Sequence, residues 1–337
     1  MPETAAALSA FLAQAGWHQA EAAPMQGDAS ARRYQRLTRA DGESAILMLC
    51  PAGSRAEIAR FCDVARHLRA VGLSAPDILA RDDQNGLLLL EDFGEAVMAS
   101  VVANAPNTER ALYLSATKVL HYLHSVPPME GLQPYGPAEM AAMVDVAFTE
   151  YAAATGTGDP AAQGRVQALL EAALARHAPE TDVMILRDYH AENLMVLPER
   201  GGVQALGLLD FQDALLGHPA YDLISLLEDA RRDIRESTRL ACISWYAHEN
   251  GLDPERFEAA LAVQGAQRNL RILGVFARLA RALGKPGYLA LMPRVWAHLE
   301  RDLAHPALAD LAAPLRAALP APTEDILERL RQQCPTP

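Results

Sequence analysis

The chain has 337 residues, of which 50% are hydrophobic and 21% charged. This composition predicts an ordered protein of two domains or lobes and argues against a disordered chain or a coiled coil. The formal net charge of -12 argues against non-specific binding to nucleic acid or to an anionic membrane. No apolar run reaches the roughly 20 residues of a membrane span, and the sequence lacks a signal-peptide pattern, so we predict a cytoplasmic location.

The first third of the sequence predicts a small β-rich unit. The segments "GDASARRYQRL" and "AILMLC" flank a turn at Asp41 and Gly42 and predict a hairpin. One apolar face then predicts a helix that ends near Gly72, and it carries Ile58, Phe61, Cys62, Ala65 and Leu68. The segment "APDILARDDQNGLLLLEDFG" predicts a second hairpin that turns at Asn85 and Gly86. The predicted order is β-β-α-β-β.

From about residue 107 the periodicity becomes helical. Helices are predicted over 109–125, 138–154, 160–177 and most of 221–301. The four cysteines lie far apart and form no C-x-x-C pair, so we expect reduced, packed thiols at Cys50, Cys62, Cys242 and Cys334. The predicted fold class is α+β, with a small β-rich N-terminal lobe and a larger, mainly helical C-terminal lobe.

Residues 185–214 interrupt the helical part with a predicted hairpin whose strands are 194–197 and 206–209. Asp188 and Asn193 precede this hairpin and Asp210 follows it. The hairpin could therefore bring the three side chains to one edge of a cleft. Hard oxygen ligands of this kind suit Mg²⁺, and a carboxylate beside them could orient a hydroxyl for attack on a phosphate. The alternative is that Asp188 and Asn193 only cap turns, as these residue types often do.

A resemblance to known proteins supports the chemical interpretation. The segments "LRDYHAENLMV" and "LLDFQDA" resemble the catalytic loop and the metal-binding segment of the protein-kinase-like phosphotransferases. With "DASARRYQRL", "LLLLEDFG" and "QRNLRILGVFARLA", they are similar to the aminoglycoside-phosphotransferase-like family, and most similar to its bacterial anomeric kinases of N-acetylmuramate and N-acetylglucosamine. The resemblance covers about residues 25–300.

The resemblance implies a bilobal protein-kinase-like fold with lobes at 1–91 and 96–337 and a hinge at 92–95. It implies ATP and Mg²⁺ as cofactors and a small amino sugar as the substrate. Asp188 would be the catalytic carboxylate, and Asn193 and Asp210 would bind the magnesium. Backbone groups from Glu91 to Phe93 would hydrogen-bond the adenine.

The phosphate-binding end departs from the kinase pattern. "GDASARRY" holds one glycine, and the chain has only two lysines, Lys118 and Lys285. Met48 stands about where a kinase lysine would hold the nucleotide phosphates, which leaves the role of Glu57 as a lysine partner open.

We therefore expect another cation to contact the nucleotide phosphates. Arg32 and Arg33 are the preferred candidates, with Ser30 nearby and Arg36 as a further arginine, because a guanidinium matches phosphate oxygens. The alternative is a basic hairpin that faces solvent.

Three further residues are candidate contacts to the acceptor: His190, Arg268 and Arg271. His190 resembles the histidine common after the catalytic Asp in this superfamily, although a structural loop histidine is an alternative. The arginines belong to a polar cluster beside "ILGVFARLA", which could reach a sugar or its carboxylate or could face solvent. We interpret Asp222, at the start of an apolar helix, as structural.

Three functions compete at this point. The first is an anomeric amino-sugar kinase of cell-wall recycling. The second is a kinase of another small alcohol, such as an aminoglycoside or choline. The third is a nucleotide-binding pseudokinase, which the missing lysine and glycines favour and which Asp188, Asn193 and Asp210 argue against.

Overall fold

The computed structural model describes residues 2–25, 32–51 and 53–335. Its contacts divide the chain into two units. The sheet unit comprises Met1–Thr108 and Ala191–Ala214, and the helical unit comprises Glu109–His190 and Leu215–Pro337. The predicted lobe boundaries, with a hinge at 92–95, stay a prediction.

The strands of the described residues form three sheets. They are β1 (Glu21–Met25), β2 (Arg33–Thr38), β3 (Ser44–Leu49), β4 (Ile78–Asp82), β5 (Leu87–Glu91), β6 (Val183–Ile185), β7 (Leu194–Val196), β8 (Leu206–Leu208) and β9 (Leu215–Gly217). The main sheet has the order β1-β2-β3-β5-β4 with antiparallel neighbours, and β6 pairs with β9 and β7 with β8. All three predicted hairpins, β2–β3, β4–β5 and β7–β8, are confirmed.

The described residues also form thirteen α-helices. They are α1 (Pro2–Gln14), α2 (Arg55–Ala70), α3 (Met98–Asn104), α4 (Glu109–Ser125), α5 (Pro137–Ala142), α6 (Ala153–Thr155), α7 (Pro160–His177), α8 (Ala220–Leu227), α9 (Glu236–Glu249), α10 (Pro254–Leu283), α11 (Met292–Leu303), α12 (Ala309–Ala318) and α13 (Glu324–Gln332). The predictions over 109–125 and 160–177 are confirmed. The single helix predicted over 138–154 is wrong, because α5 ends at Ala142 and a π-helical turn, Ala147–Ala152, precedes α6.

Helix α1 supplies part of the core of the sheet unit. Phe11 on the helix and Trp17 after it are buried with Leu37, Leu47 and Leu89 of the sheet. Alternate residues of a strand point to one face, so Leu87 and Leu89 share the face that α1 covers. Sequence reasoning did not predict α1 or β1, because the first 20 residues carry only a weak apolar stripe.

The hairpin of β7 and β8 belongs to the sheet unit. The amide of Leu208 donates to the carbonyl of Ser74 at 2.7 Å, and the amide of Val196 donates to Ala96 at 2.7 Å. The Ser74 hydroxyl donates to the carbonyl of Gln204 at 2.9 Å. These bonds join the segment that carries Asn193 and Asp210 to the unit that contains the five-stranded sheet.

The helical unit is built around α10, the 30-residue helix. Asp253 caps its first turn by accepting from the amide of Arg256, and Gly284 ends it in the left-handed conformation. At Gly274 a Cβ would lie 2.3 Å from the backbone of Val146, so only glycine allows α10 to approach the π-helical turn this closely. Among the described residues, no helix is both long and apolar enough to span a membrane, and all four cysteines are free thiols.

Candidate active site

Asn193 and Asp210 flank the β7–β8 hairpin of the sheet unit at its open end, since Asn193 precedes β7 and Asp210 follows β8. The Leu209 amide donates to the carbonyl of Asn193 at 3.0 Å, which joins the two ends of the hairpin. Asp210 adopts a left-handed backbone conformation with φ at 57°, a conformation that Asp tolerates better than most residues. Its Oδ1 accepts from Gln212 Nε2 at 2.8 Å. Within the described residues, Asp210 Oδ2 makes no hydrogen bond.

Packing against α2 fixes the segment that follows Asp210. The fully buried ring of Phe211 stacks on Phe61, with centroids 5.0 Å apart. Arg60 donates from Nη2 to the carbonyl of Ala214 at 2.7 Å. Helix α2 therefore supports both ends of the segment 211–214, and the Asp210 side chain, which is 48% exposed, is presented from a supported backbone.

Arg32, the predicted phosphate contact, lies beside two carboxylates of the sheet unit. Its guanidinium lies 4.0 Å from Glu57 of α2 and 4.0 Å from Asp210, and only 13% of its side chain is exposed. The lysine of a protein kinase likewise pairs with a glutamate of a helix. The structure thus pairs Glu57 with an arginine from the other side of the hairpin.

The remaining residues predicted at the phosphate end are less well placed. Arg33 begins β2 and is exposed, and Met48 is buried in β3 opposite Tyr34. Arg36 forms an ion pair with Asp92, at 2.7 Å from Nε, and another with Glu95. Its charge is therefore already used within the sheet unit. Ser30 lies outside the described residues.

The predicted adenine-binding stretch, 91–93, is held by side-chain contacts. Arg200 pairs with the Glu91 carboxylate and also lies over the ring of Phe93, 5.2 Å from its centroid. The amide of Glu91 donates to Asp77 at 2.9 Å, so this N–H is already used inside the protein. A Cβ at Gly207 would lie 2.5 Å from the Phe93 ring, which shows how closely β8 packs on this stretch.

Asp188 lies in the helical unit, on a loop that Asp222 holds. The buried carboxylate of Asp222 accepts from the amide of Leu186 at 2.6 Å and from the amide of Arg187 at 2.9 Å. Arg187 has φ at 70°, so the chain turns sharply just before Asp188. Asp222 was interpreted as structural from the sequence; its hydrogen bonds show that the structure it supports is the Asp188 loop.

Electrostatics at this loop reflect its burial. Burial raises the pKa of Asp222 to about 7, the two backbone N–H groups and Arg268 act in the opposite direction, and Asp188 adds to the rise. Burial also lowers the pKa of His190 to about 4, with Asp229 acting against this shift. His190 is 8% exposed and is neutral at pH 7, so it can hydrogen-bond an acceptor without adding charge.

The predicted acceptor contacts of α10 lie in the same unit as Asp188. Arg268 is buried, with 8% exposure, while Arg271 is half-buried. Arg271 is close enough to Tyr135 to lower the pKa of that phenol, although burial is the larger effect and raises it. Solvent exposure, the alternative interpretation of the cluster, is therefore wrong for Arg268.

A magnesium ion fits the donor set of the sheet unit. The described residues contain no group of three or more His, Cys, Asp or Glu side chains that could hold a metal by themselves. Mg²⁺ in kinase sites needs fewer protein ligands, because nucleotide phosphates and water complete its octahedron. Asp210, whose Oδ2 accepts no hydrogen bond from the described residues, and Asn193 would provide the carboxylate and amide oxygens that such a site uses.

Comparison with known proteins identifies the family. The model of the APH phosphotransferase enzyme family matches residues 21–261. The chain belongs to this phosphotransferase family. The phosphotransferase is 36% identical, over 95% of its length and 98% of the relative, to an N-acetylmuramate/N-acetylglucosamine kinase of Caulobacter vibrioides. It is 33% identical to a protein of the same name from Pseudomonas aeruginosa, over 93% of this chain and 94% of the relative.

Solved structures show the same fold. The GDP and kanamycin complex of APH(2")-IIia matches with a TM-score of 0.62 at 14% identity, over 90% of this chain and 99% of the other. The predicted protein-kinase-like α+β class is therefore confirmed, as is the resemblance to the aminoglycoside phosphotransferases.

Proposed function

We propose that this phosphotransferase transfers the γ-phosphoryl group of ATP to the anomeric hydroxyl of N-acetylmuramate, N-acetylglucosamine or both. The observation that carries the proposal is the 36% identity to the Caulobacter vibrioides kinase over nearly the whole of both chains. Insertion or loss of a whole substrate-binding element is hard to reconcile with that coverage. The sugar 1-phosphate product suits a role in recycling cell-wall sugars.

Asp188 is proposed to orient the acceptor hydroxyl and to accept its proton. A carboxylate can do this only from a fixed position, because a reacting oxygen misplaced by about 1 Å can cost ~100-fold in rate. The bonds from Leu186 and Arg187 to Asp222 provide that rigidity two residues before Asp188. His190 is proposed to contact the sugar as a neutral imidazole.

The nucleotide is proposed to bind to the sheet unit. The APH(2")-IIia neighbour was captured with GDP, which supports a purine nucleotide as the phosphoryl donor here as well. Residues 91–93 would contact the base, and Arg32 would contact the phosphates. Arg32 is suited to this role because its guanidinium lies 4.0 Å from Asp210, the proposed magnesium ligand, and 4.0 Å from Glu57 of α2.

Asn193 and Asp210 are proposed to hold Mg²⁺, which when bound would neutralise charge on the phosphate oxygens. The Asp210 side chain is accessible and one of its oxygens already accepts from Gln212. That bond engages Oδ1 and leaves Oδ2 for the cation. The cytoplasmic location remains a prediction from the sequence.

An acceptor screen tests the proposed function. The purified protein is incubated with ATP and Mg²⁺ and with N-acetylmuramate, N-acetylglucosamine, choline or kanamycin, and ADP release is followed. We expect turnover with at least one of the two amino sugars and a kcat/KM at least ~100-fold lower with choline and kanamycin. Preferred turnover of choline or kanamycin would replace the proposed acceptor. Nucleotide binding without turnover of any acceptor would instead support the pseudokinase.

A further inference from the structure

Three consecutive polar residues of α10, Gln267, Arg268 and Asn269, are buried. Gln267 donates from Nε2 to the Tyr135 hydroxyl at 3.1 Å and to the carbonyl of Met140 at 2.8 Å. Asn269 donates from Nδ2 to Glu228 at 2.8 Å and to Asp302 at 2.9 Å. Gln267 and Asn269 therefore have a structural role, since buried polar groups need such hydrogen-bond partners.

Arg268 differs from both neighbours. Among the described residues, no carboxylate lies within 4.0 Å of its guanidinium, and Nη1 is fully buried without a hydrogen-bond partner. An unpaired buried charge is costly and is normally compensated by an opposite charge. The fold thus retains a buried guanidinium that no carboxylate of the described residues pairs with directly.

Three buried carboxylates of the helical unit are already committed to other groups. Asp222 accepts the two backbone amides of the Asp188 loop. Asp229 accepts from the Arg231 amide at 2.9 Å and pairs with Arg232 Nε at 2.9 Å. Glu228 pairs with Arg301 at 2.7 Å. A small rearrangement of side chains would therefore not neutralise Arg268 without leaving another buried group unpaired.

Arg268 is close to the loop that carries Asp188, within the same unit. Its charge lowers the pKa of His190 and opposes the rise in the pKa of Asp222, so it lies near both residues. Arg271 follows three positions later and shares its side of α10. A ligand that reaches the Asp188 loop from this side would meet a guanidinium whose Nη1 has no hydrogen-bond partner among the described residues.

We propose that Arg268 determines acceptor specificity by binding a carboxylate of the sugar. This inference rests on the proposed function. N-acetylmuramate differs from N-acetylglucosamine by a lactyl ether that ends in a carboxylate, and a guanidinium binds such a group through paired, charge-assisted hydrogen bonds. Arg268 then favours the anionic sugar over the neutral one, and the bound carboxylate completes a charge pair that the empty site lacks.

The test compares the two sugars in the wild type and in variants of α10. The measured quantity is the ratio of kcat/KM for N-acetylmuramate to kcat/KM for N-acetylglucosamine. R268Q removes the charge and is expected to lower this ratio about 10- to 100-fold, the range for loss of a charge-assisted hydrogen bond. R268K keeps the charge without the planar guanidinium, so its ratio should lie between those of the wild type and R268Q. The control is R278Q, because Arg278 is an exposed arginine on the same helix and its loss should leave the ratio within about two-fold.

A ratio that R268Q leaves unchanged overturns the proposal, and so does an equal loss with both sugars. If R268Q fails to fold, the same question is asked of the wild type with the methyl ester of N-acetylmuramate, whose carboxylate is masked. The ester should lose the same 10- to 100-fold relative to the acid, and an ester as good as the acid overturns the proposal. A wild type that phosphorylates neither sugar is a different result, since it refutes the proposed function itself and the inference with it.

Discussion

Replacing Asp222 tests whether this buried carboxylate positions the Asp188 loop. Asp222 is fully buried and accepts from the amides of Leu186 and Arg187 at 2.6 and 2.9 Å. Each buried N–H left without an acceptor costs about 1–3 kcal/mol. D222A should therefore lower the free energy of unfolding by about 2–6 kcal/mol, and D222N, which keeps one acceptor oxygen, by about 1–3 kcal/mol.

The assay for Asp222 combines urea unfolding with steady-state kinetics. A positioning residue should affect kcat more than nucleotide binding, so we expect D222N to lower kcat at least ~10-fold with the nucleotide KM within about two-fold. The matched control is D233N, because Asp233 pairs with Arg294 at 2.8 Å on the surface, with 75% of its side chain exposed, and such pairs contribute little. A folded D222N with unchanged stability and kcat would refute the reasoning.

The remaining predictions concern charge. R32A should raise the nucleotide KM or lower kcat about 10- to 100-fold, whereas R33A should change neither more than about two-fold, since Arg33 is exposed; the reverse order would exclude Arg32 as the phosphate contact. D210N should raise the Mg²⁺ concentration needed for half-maximal activity at least ~10-fold by removing an anionic ligand, and an unchanged magnesium titration would contradict that role. Burial lowers the pKa of His124 to about 3, so its contribution to stability is present above pH ~6.5 and is lost as the pH falls towards 3, at about 1.4 kcal/mol per pH unit. Urea unfolding from pH 7 to 5 should show that loss, and H124N should be less sensitive to pH; an equal slope in H124N would rule out His124 as its source.

The hairpins of the sheet unit could be predicted because turn residues and alternating apolar residues are signals carried by a few neighbouring positions. The turns at Gly42 and Gly86 require φ of 90° and 73°, values that glycine adopts without strain, and both hairpins are present. The 138–154 prediction failed because alanine-rich sequence is helix-compatible in either arrangement. The π-helical turn lies where α10 approaches closely at Gly274. Tertiary packing decides this contact, so the local sequence does not reveal it.

Some residues of the candidate site could be predicted from local sequence, and others could be found only in the packed structure. The spacing of Asp188, Asn193 and Asp210 could be recognised because the motif is continuous in sequence. That Arg32 approaches Glu57 could not be, since the pair joins a strand edge to a helix more than 20 positions away. The same holds for Arg268, where the informative fact is a missing counter-charge, and only the packed structure shows which carboxylates are already paired.

The most direct test of the account is the chemical identity of the product and its dependence on Asp188. Wild-type and D188N proteins are incubated with ATP, Mg²⁺ and N-acetylmuramate or N-acetylglucosamine, and the product is examined by ³¹P NMR with coupling to the sugar protons. We expect a phosphate coupled to the anomeric proton in the wild-type reaction and a loss of at least ~1,000-fold in kcat for D188N, with the nucleotide affinity nearly unchanged. A phosphate on any other hydroxyl, or a folded D188N of normal activity, would contradict it.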